Sequence, residues 1–378
     1  MSRDLLVWGA GVRWDDVPGT DHQLVRRLAE HLDVWWVDPP VSVVRRPSGP
    51  GGRARIAPVA PGVLRVPVAS APFPSRPGGR VLARAASAAS VRRLLERDGR
   101  VPRAVVSARP EPHLRAVPTS CRVYYATDDF AAGAALWGLS AAALRHAEER
   151  SLAAADLALA ITPAIRDRWP TDVPTALLPN GCDAQAFAAV PPPDPAAEPV
   201  AVVVGQLSAR LDLGLLEAVA VRGRRLLLVG PAAPSLDLRR FVDLVGRPSV
   251  TWTGRRRPAE LPDLLAGTTV GLTPYADTAF NRASHPLKTL EYLAAGRPVV
   301  ATPLPAVADL GCRYVATAAT PTTFADAVDQ ALAAPSDPAA SRACQAFARQ
   351  HDWSVRADTL LARIGAVAGT GSLTPAGR

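Results

Sequence analysis

Short apolar runs, most of them followed by a stretch of helical spacing, recur along this chain. DLLVWGAG (4–11), DVWWVDPP (33–40), RAVVSARP (103–110), RVYYATDD (122–129), DLALAITP (156–163) and TALLPNGC (175–182) read as strands, the first running into a glycine turn. HQLVRRLAEHL (22–32), RVLARAASAASVRRLLERDG (80–99) and a segment near 140–155 read as helices, the first with clear amphipathic spacing. Strands that alternate with helices need crossover connections, so the sheet they form is parallel.

The rhythm breaks once. AAVPPPDPAAEP (188–199) is rich in proline and lacks large apolar side chains, the composition of a linker. AVVVGQLS (201–208), RRLLLVGP (224–231), SVTWTG (249–254), TVGLTPY (269–275) and PVVATP (298–303) then restart it. A length of 378 residues leaves room for two cores. The expected class is α/β, with two doubly wound domains facing each other across a cleft. The first spans 1–187, the linker 188–199 and the second 200–351; a helix at 352–367 packs back on the first domain, and 368–378 is a flexible tail. Ligands in such sheets bind beyond the carboxyl ends of the strands.

Composition narrows the class. A hydrophobic share of 48% and a charged share of 20% are those of a globular protein. The start MSRDLLVWGAGVRW has no sustained apolar core of a secretory signal, and no run approaches the ~18 apolar residues of a membrane span. Cys121, Cys182, Cys312 and Cys344 form no CxxC pair and read as reduced thiols. The expectation is a cytoplasmic protein, peripheral on the inner membrane face. Residues 45–122 hold sixteen arginines against Glu96, Asp98 and Glu111, a local excess of thirteen that suits an anionic membrane surface as well as an ordinary solvated one. The same segment has Phe73 but no Tyr or Trp to stack on bases, which argues against nucleic acid.

One strip carries the chemistry. NRASHPLKTLEYLAAGRPVV (281–300) contains the single lysine among 43 Lys+Arg, Lys288, and one of two asparagines, Asn281. With 276–285 read as a loop, PLKTLEYLAAG is a helix opened by Pro286 and closed by Gly296. Leu287, Leu290 and Ala294 make its inner face, and Lys288, Glu291 and Ala295 the adjacent one. A helix N-terminus is an anion site, and Arg282 and Lys288 add two cations to it. Glu291, one turn on, suits a pair of vicinal hydroxyls. Diphosphate and sugar hydroxyls side by side describe a nucleotide.

HPLKTLEYLAAGRPVVATPLP resembles the donor-binding helix of GT-B-fold retaining glycosyltransferases of the family 4 type, above all a branch with teichuronic-acid-type cell-envelope enzymes. YYATDDF (124–130), ITP (161–163), LPNGCDAQAF (178–187), VGQLSARLDLGLL (204–216), LVGP (228–231) and WTGRRRPAELPDLL (252–265) follow in matching order. The resemblance implies two Rossmann-like domains, a nucleoside-diphosphate sugar donor and a glycan or lipid-linked acceptor. It assigns Glu291 to the donor ribose, the amides around Pro286, Leu287 and Lys288 with Arg282 to the diphosphate, and Gly254 and Arg255 to the base. Two positions depart: Ala283 stands where the family has a second glutamate, and GQLSARL (205–211) places Gln206 and Leu211 where it has an Arg–Lys pair. Arg210, beside Gly205, is the nearest substitute.

Gly9 and Gly11 begin a GxGxxG pattern that Trp14 ends, so they read as a tight turn, either structural or one that lets backbone approach the donor phosphates. Asp128 and Asp129 suit an acceptor-orienting or proton-accepting role, or a helix cap; Asp128 is the catalytic candidate with Lys288 and Arg282. His22 and His113 read as structural. No two aspartates form DxD, so no metal and no other cofactor is expected. The functional expectation is a metal-independent retaining glycosyltransferase. The alternatives are a nucleotide-sugar 2-epimerase of the same fold and a basic peripheral binding protein without catalysis.

Overall fold

The computed structural model describes residues 3–16, 18–42, 56–70, 77–110, 115–169 and 172–370. His113, Phe73, Glu111, much of the arginine-rich stretch and residues 371–378 of the tail lie outside them. The chain divides into two compact units, Met1–Pro179 with Trp353–Arg378, and Asn180–Asp352.

The first unit is built on β1 (Leu5–Gly9), β2 (Asp33–Val37), β3 (Ala57–Ala60), β4 (Val63–Val66), β5 (Ala104–Ser107), β6 (Arg122–Ala126), β7 (Leu157–Ala160) and β8 (Thr175–Leu177). They lie in the order β8-β7-β6-β5-β1-β2-β4-β3, parallel except for the β3/β4 hairpin. The first strand is central and the chain winds outward from it in both directions, so β1 is buried along its whole length. The helix Trp353–Thr370 packs on the helix Thr20–Leu28 of this unit. Its buried residues Trp353, Ala357, Leu360 and Ile364 recur at helical spacing, which gives a single apolar seam.

The second unit repeats the plan with β9 (Val200–Val204), β10 (Arg225–Val229), β11 (Val250–Trp252), β12 (Val270–Thr273), β13 (Val299–Ala301) and β14 (Val315–Thr317), all parallel in the order β11-β10-β9-β12-β13-β14. Alternate residues of β9 feed two cores. Ala201 and Val203 join Leu216, Leu228 and Phe324 on one face, while Val202 and Val204 join Leu290, Leu293 and Val307 on the other. A strand buried on both faces has to read as an unbroken apolar run, and AVVV does.

The proline-rich stretch expected as a linker belongs to the second unit instead. Its carbonyls are acceptors for distant donors: Pro191 O takes Arg297 Nη2 at 2.8 Å, Pro193 O takes Ser336 Oγ at 2.6 Å and Val190 O takes Gln345 Nε2 at 3.4 Å. Arg297 is fully buried with no carboxylate paired to it among the described residues, and burial lowers its guanidinium to about 10. It also binds Leu265 O and Ala266 O, the last carbonyls of the helix Leu261–Ala266. The unit boundary therefore falls at Pro179/Asn180, not at 187–200.

The arginine excess of 45–122 is also smaller in space than in sequence. Arg65 pairs with Asp38 and Asp15 at 2.7 Å each, Arg100 with Asp33, and Arg103 with Asp4, all acids from outside that segment.

Candidate functional sites at the carboxyl edge of each unit

In the second unit the switch in strand order lies between β9 and β12, whose carboxyl ends lead to Gly205 and to Thr273–Tyr275. The helix Leu287–Ala294 is seated there by Tyr292. Its phenol accepts Val204 N–H at 2.7 Å, an amide beyond the reach of the β9–β12 ladder, which ends at Val202. Its ring lies so close to Gly271 that a Cβ there would come within 2.2 Å of it. Thr289, Leu290, Tyr292, Leu293, Ala294 and Ala295 are all buried, so on the face shared by Lys288, Glu291 and Ala295 only the two charged residues stay partly exposed, and Leu287 of the inner face is only half-buried. A short helix tucked against a sheet buries more of its girth than an amphipathic surface helix does.

The two charges remain on the open side. Lys288 Nζ donates to Glu291 Oε2 at 2.6 Å, with side chains 23% and 18% exposed. A lysine N-terminal to its glutamate, in a first turn, is the less favourable order for helix stability. Lys288 Cε lies 3.6 Å from where a Cβ would project from Gly205. At the same edge a Cβ on Gly230 would sit 1.8 Å from Gly205 O, so the two backbones cross at a distance only glycine permits. Gly230 N–H in turn donates to Gly254 O at 2.9 Å, and Arg255 beyond it is exposed.

Pro286 is the N-cap, not the first helical residue, with φ −80° and ψ 66°. It has no amide hydrogen, and Leu287 N–H is taken by His285 O at 2.9 Å. Of the next two residues of the first turn Lys288 is half-buried and Thr289 fully buried, so the Lys288 amide is the candidate donor, one position later than the motif indicated.

The expected loop at 276–285 contains the helix Ala279–Ala283, capped by Thr278. Its anchor is Asn281, 1% exposed, whose Nδ2 donates to Arg210 O and Ala276 O at 2.9 and 2.8 Å and whose Oδ1 accepts from Arg210 Nε at 3.0 Å. Arg210 is also stacked over Tyr275 and Phe280 and donates to Ser284 Oγ. Arginine and asparagine here are a clamp on the segment that leads into the Lys288 helix. Arg282 is on the exposed side, spent on both oxygens of Asp277. The structure brings Gly205, Lys288 and Glu291 together and keeps Arg282 paired elsewhere.

In the first unit the switch lies between β1 and β5. Gly9 ends β1, and Gly11 N–H donates to Asp21 Oδ2 at 2.7 Å, so this amide is occupied by the protein itself. Asp21 itself goes unmarked in the sequence, where an acid in a first helical turn is ordinary. Asp128 lies close enough to act on Asp21 electrostatically. Asp129 takes the capping role: Oδ1 accepts Ala132 N–H at 2.9 Å and Oδ2 pairs with Arg168 at 2.7 Å. Arg168 also binds Glu148, which accepts from the Tyr124 phenol. His22 is buried against Trp14 and Trp36, bonded to Trp14 O at 3.0 Å, and burial lowers its imidazole below the usual range.

Known proteins share the fold. Over its whole length the chain is similar to a sucrose-phosphate synthase from Thermosynechococcus elongatus, at 17% identity and TM-score 0.75, covering 98% of this chain and 100% of that one. An Anabaena protein, HepE, solved in complex with UDP and glucose, superposes with TM-score 0.66 at 15% identity, covering 96% and 98%. The fold is GT-B. Residues 198–334 of this GT-B chain match the family model described as glycosyl transferases group 1. A stretch of 156 residues is 32% identical to TuaH of Bacillus subtilis (strain 168), named as a teichuronic acid biosynthesis glycosyltransferase; it spans 40% of this chain and 39% of that relative. No helix among the described residues is long and apolar enough to cross a membrane.

Proposed function

We propose that the chain is a glycosyltransferase that moves a sugar from a nucleoside diphosphate to a cell-envelope glycan or lipid-linked acceptor at the inner membrane face. The carrying observation is the Lys288–Glu291 pair, two charges on the open side of an otherwise buried helix, beside the Gly205 backbone. On this reading the diphosphate lies over the Lys288 amide and draws the Lys288 side chain toward it. Glu291, released from the ion pair, accepts hydrogen bonds from the ribose hydroxyls, and Gly254 and Arg255 flank the base.

The chemistry asked of the protein is stabilisation of charge on the departing diphosphate. Preorganised donors at a helix N-terminus and one point charge supply it, and the sequence has no DxD pair to bring a metal for the same purpose. Retention of configuration is taken from the resemblance. The relatives named above are sugar transferases, which favours transfer over the epimerase and binding-only readings.

A thermal-shift panel of UDP-, GDP-, dTDP- and ADP-sugars tests the donor, with UDP-glucose first because HepE holds UDP and glucose. A ligand at 100 times its Kd adds about 2.7 kcal/mol of stability. Stabilisation by one nucleotide class, reduced in Glu291→Gln, is the expected result. No shift with any of them overturns the reading.

A further inference from the structure

The first unit holds a buried acid that no part of this scheme uses. Asp21 is the only acid in the first turn of the helix Thr20–Leu28, where acids ordinarily sit in solvent against the helix dipole. This one is 5% exposed. It gives the helix no cap. Its Oδ2 instead reaches ten residues back along the chain to Gly11 N–H, just past the end of β1. Ala108 O, just past β5, lies on the same side of Gly11 as this carboxylate, since a Cβ on Gly11 would meet Ala108 O and Asp21 Oδ2 at 3.4 Å. Asp21 therefore ties the turn after β1 to the start of the first helix, at the switch point of the sheet.

We propose that Asp21 is a positioning residue for glycosyl transfer, an inference that rests on the function proposed above: its ionised carboxylate fixes the Gly9–Gly11 turn through Gly11 N–H, and protonation loosens that turn. A carboxylate holds an amide about twice as strongly as a neutral oxygen does. The groups that act on it are Asp128 at the end of β6, Arg109 at the end of β5, and Tyr125 on β6, itself under the influence of Arg356 from the C-terminal helix. Burial pushes the Asp21 carboxyl up to about 7, opposed by the Gly11 hydrogen bond, the Trp8 indole and Arg109, and reinforced by Asp128. Burial thus favours the protonated form and the Gly11 hydrogen bond the ionised one.

Asp21→Asn separates charge from shape, because the amide oxygen still accepts from Gly11 while the titration is gone. In the full-length protein labelled with ¹⁵N-glycine, the Gly11 amide, assigned with Gly11→Ala, should titrate with a midpoint near 7 in wild type and stay flat in Asp21→Asn. The donor kcat/KM of wild type should fall about tenfold per pH unit below that midpoint, and the variant should lack this limb. An amide that does not titrate overturns the proposal. So does a titrating amide with a pH profile that Asp21→Asn leaves unchanged, which would make Asp21 structural only. Absence of turnover with every nucleotide sugar would instead sink the proposed function, and the amide titration alone would then decide whether Asp21 governs the turn.

Discussion

The two units share one winding order yet carry opposite chemistry at their switch points. The second unit presents a helix N-terminus and a lysine beside Gly205; the first presents Asp21 and Asp128 around a turn whose amide is already bonded. The sheet plan supplies a crevice at the carboxyl edge in both cases and dictates the sign of neither. What differs is a handful of side chains. One edge carries a lysine, and the other keeps a carboxylate where burial disfavours its charge.

The sharpest way to break that contrast is pH. Asp21 binds its proton more tightly folded, about 7, than unfolded, 3.8. Between these values the native state holds a proton that the unfolded chain has lost, so stability falls as pH rises from about 4 to about 7. At about 1.36 kcal/mol per pKa unit the loss reaches about 4 kcal/mol. Urea unfolding of the first unit across this window should show the slope, Asp21→Asn should flatten it, and at pH 8 the variant should equal or exceed wild type. Equal slopes in both proteins would remove Asp21 from the contrast.

The next effect belongs to the other edge. Lys288→Ala should cut kcat by about 10²–10³ with donor KM much less changed, since the charge it meets grows in the transition state. Lys288→Arg should restore only part, because a planar fork replaces a point charge. Unfolding midpoints should not fall. A variant that turns over normally would show the lysine to be accidental.

Glu291→Gln comes third. Loss of a charged acceptor for hydroxyls costs about 1.5–3 kcal/mol of donor affinity, measurable by calorimetry on a protein that remains folded. Unchanged affinity would reassign the ribose. The smallest expected effect is none at all: turnover should survive EDTA, and activity lost to chelation and restored by Mn²⁺ would mean that the diphosphate charge is met by a metal.

Most of the fold was legible because parallel strands buried on both faces must be written as apolar runs. LLVWG and VAVVV could be little else. The helix limits at 286–296 were legible through Pro286 and Gly296, though the proline serves as N-cap and not as first helical residue. The hairpin Ala57–Ala60/Val63–Val66 and the strand Val315–Thr317 were not read, being short pieces at sheet edges with little of that pattern. The stretch 188–199 misled for a different reason. Proline forfeits a donor but keeps a carbonyl, and the donors that bind those carbonyls lie at Arg297, Ser336 and Gln345, where no local pattern reveals them. The site followed the same rule. Lys288 and Glu291 share a helix and could be paired by spacing, whereas Arg210 and Asn281 lie 71 residues apart. Asp21 is an ordinary first-turn acid until three strand ends close around it.

The pairing of Lys288 with Glu291 has an analytical consequence. A chain with one lysine carries one ε-amine, and only the N-terminal amine competes with it for acylating or alkylating reagents. Reductive methylation with ¹³C-formaldehyde therefore writes a single side-chain signal into the spectrum of a 378-residue protein, at the atom bonded to Glu291 Oε2. A lysine-specific protease would cut such a chain at one place, in the middle of the strip that defines it. Few proteins of this size let a candidate site be addressed by ordinary amine chemistry without a single substitution.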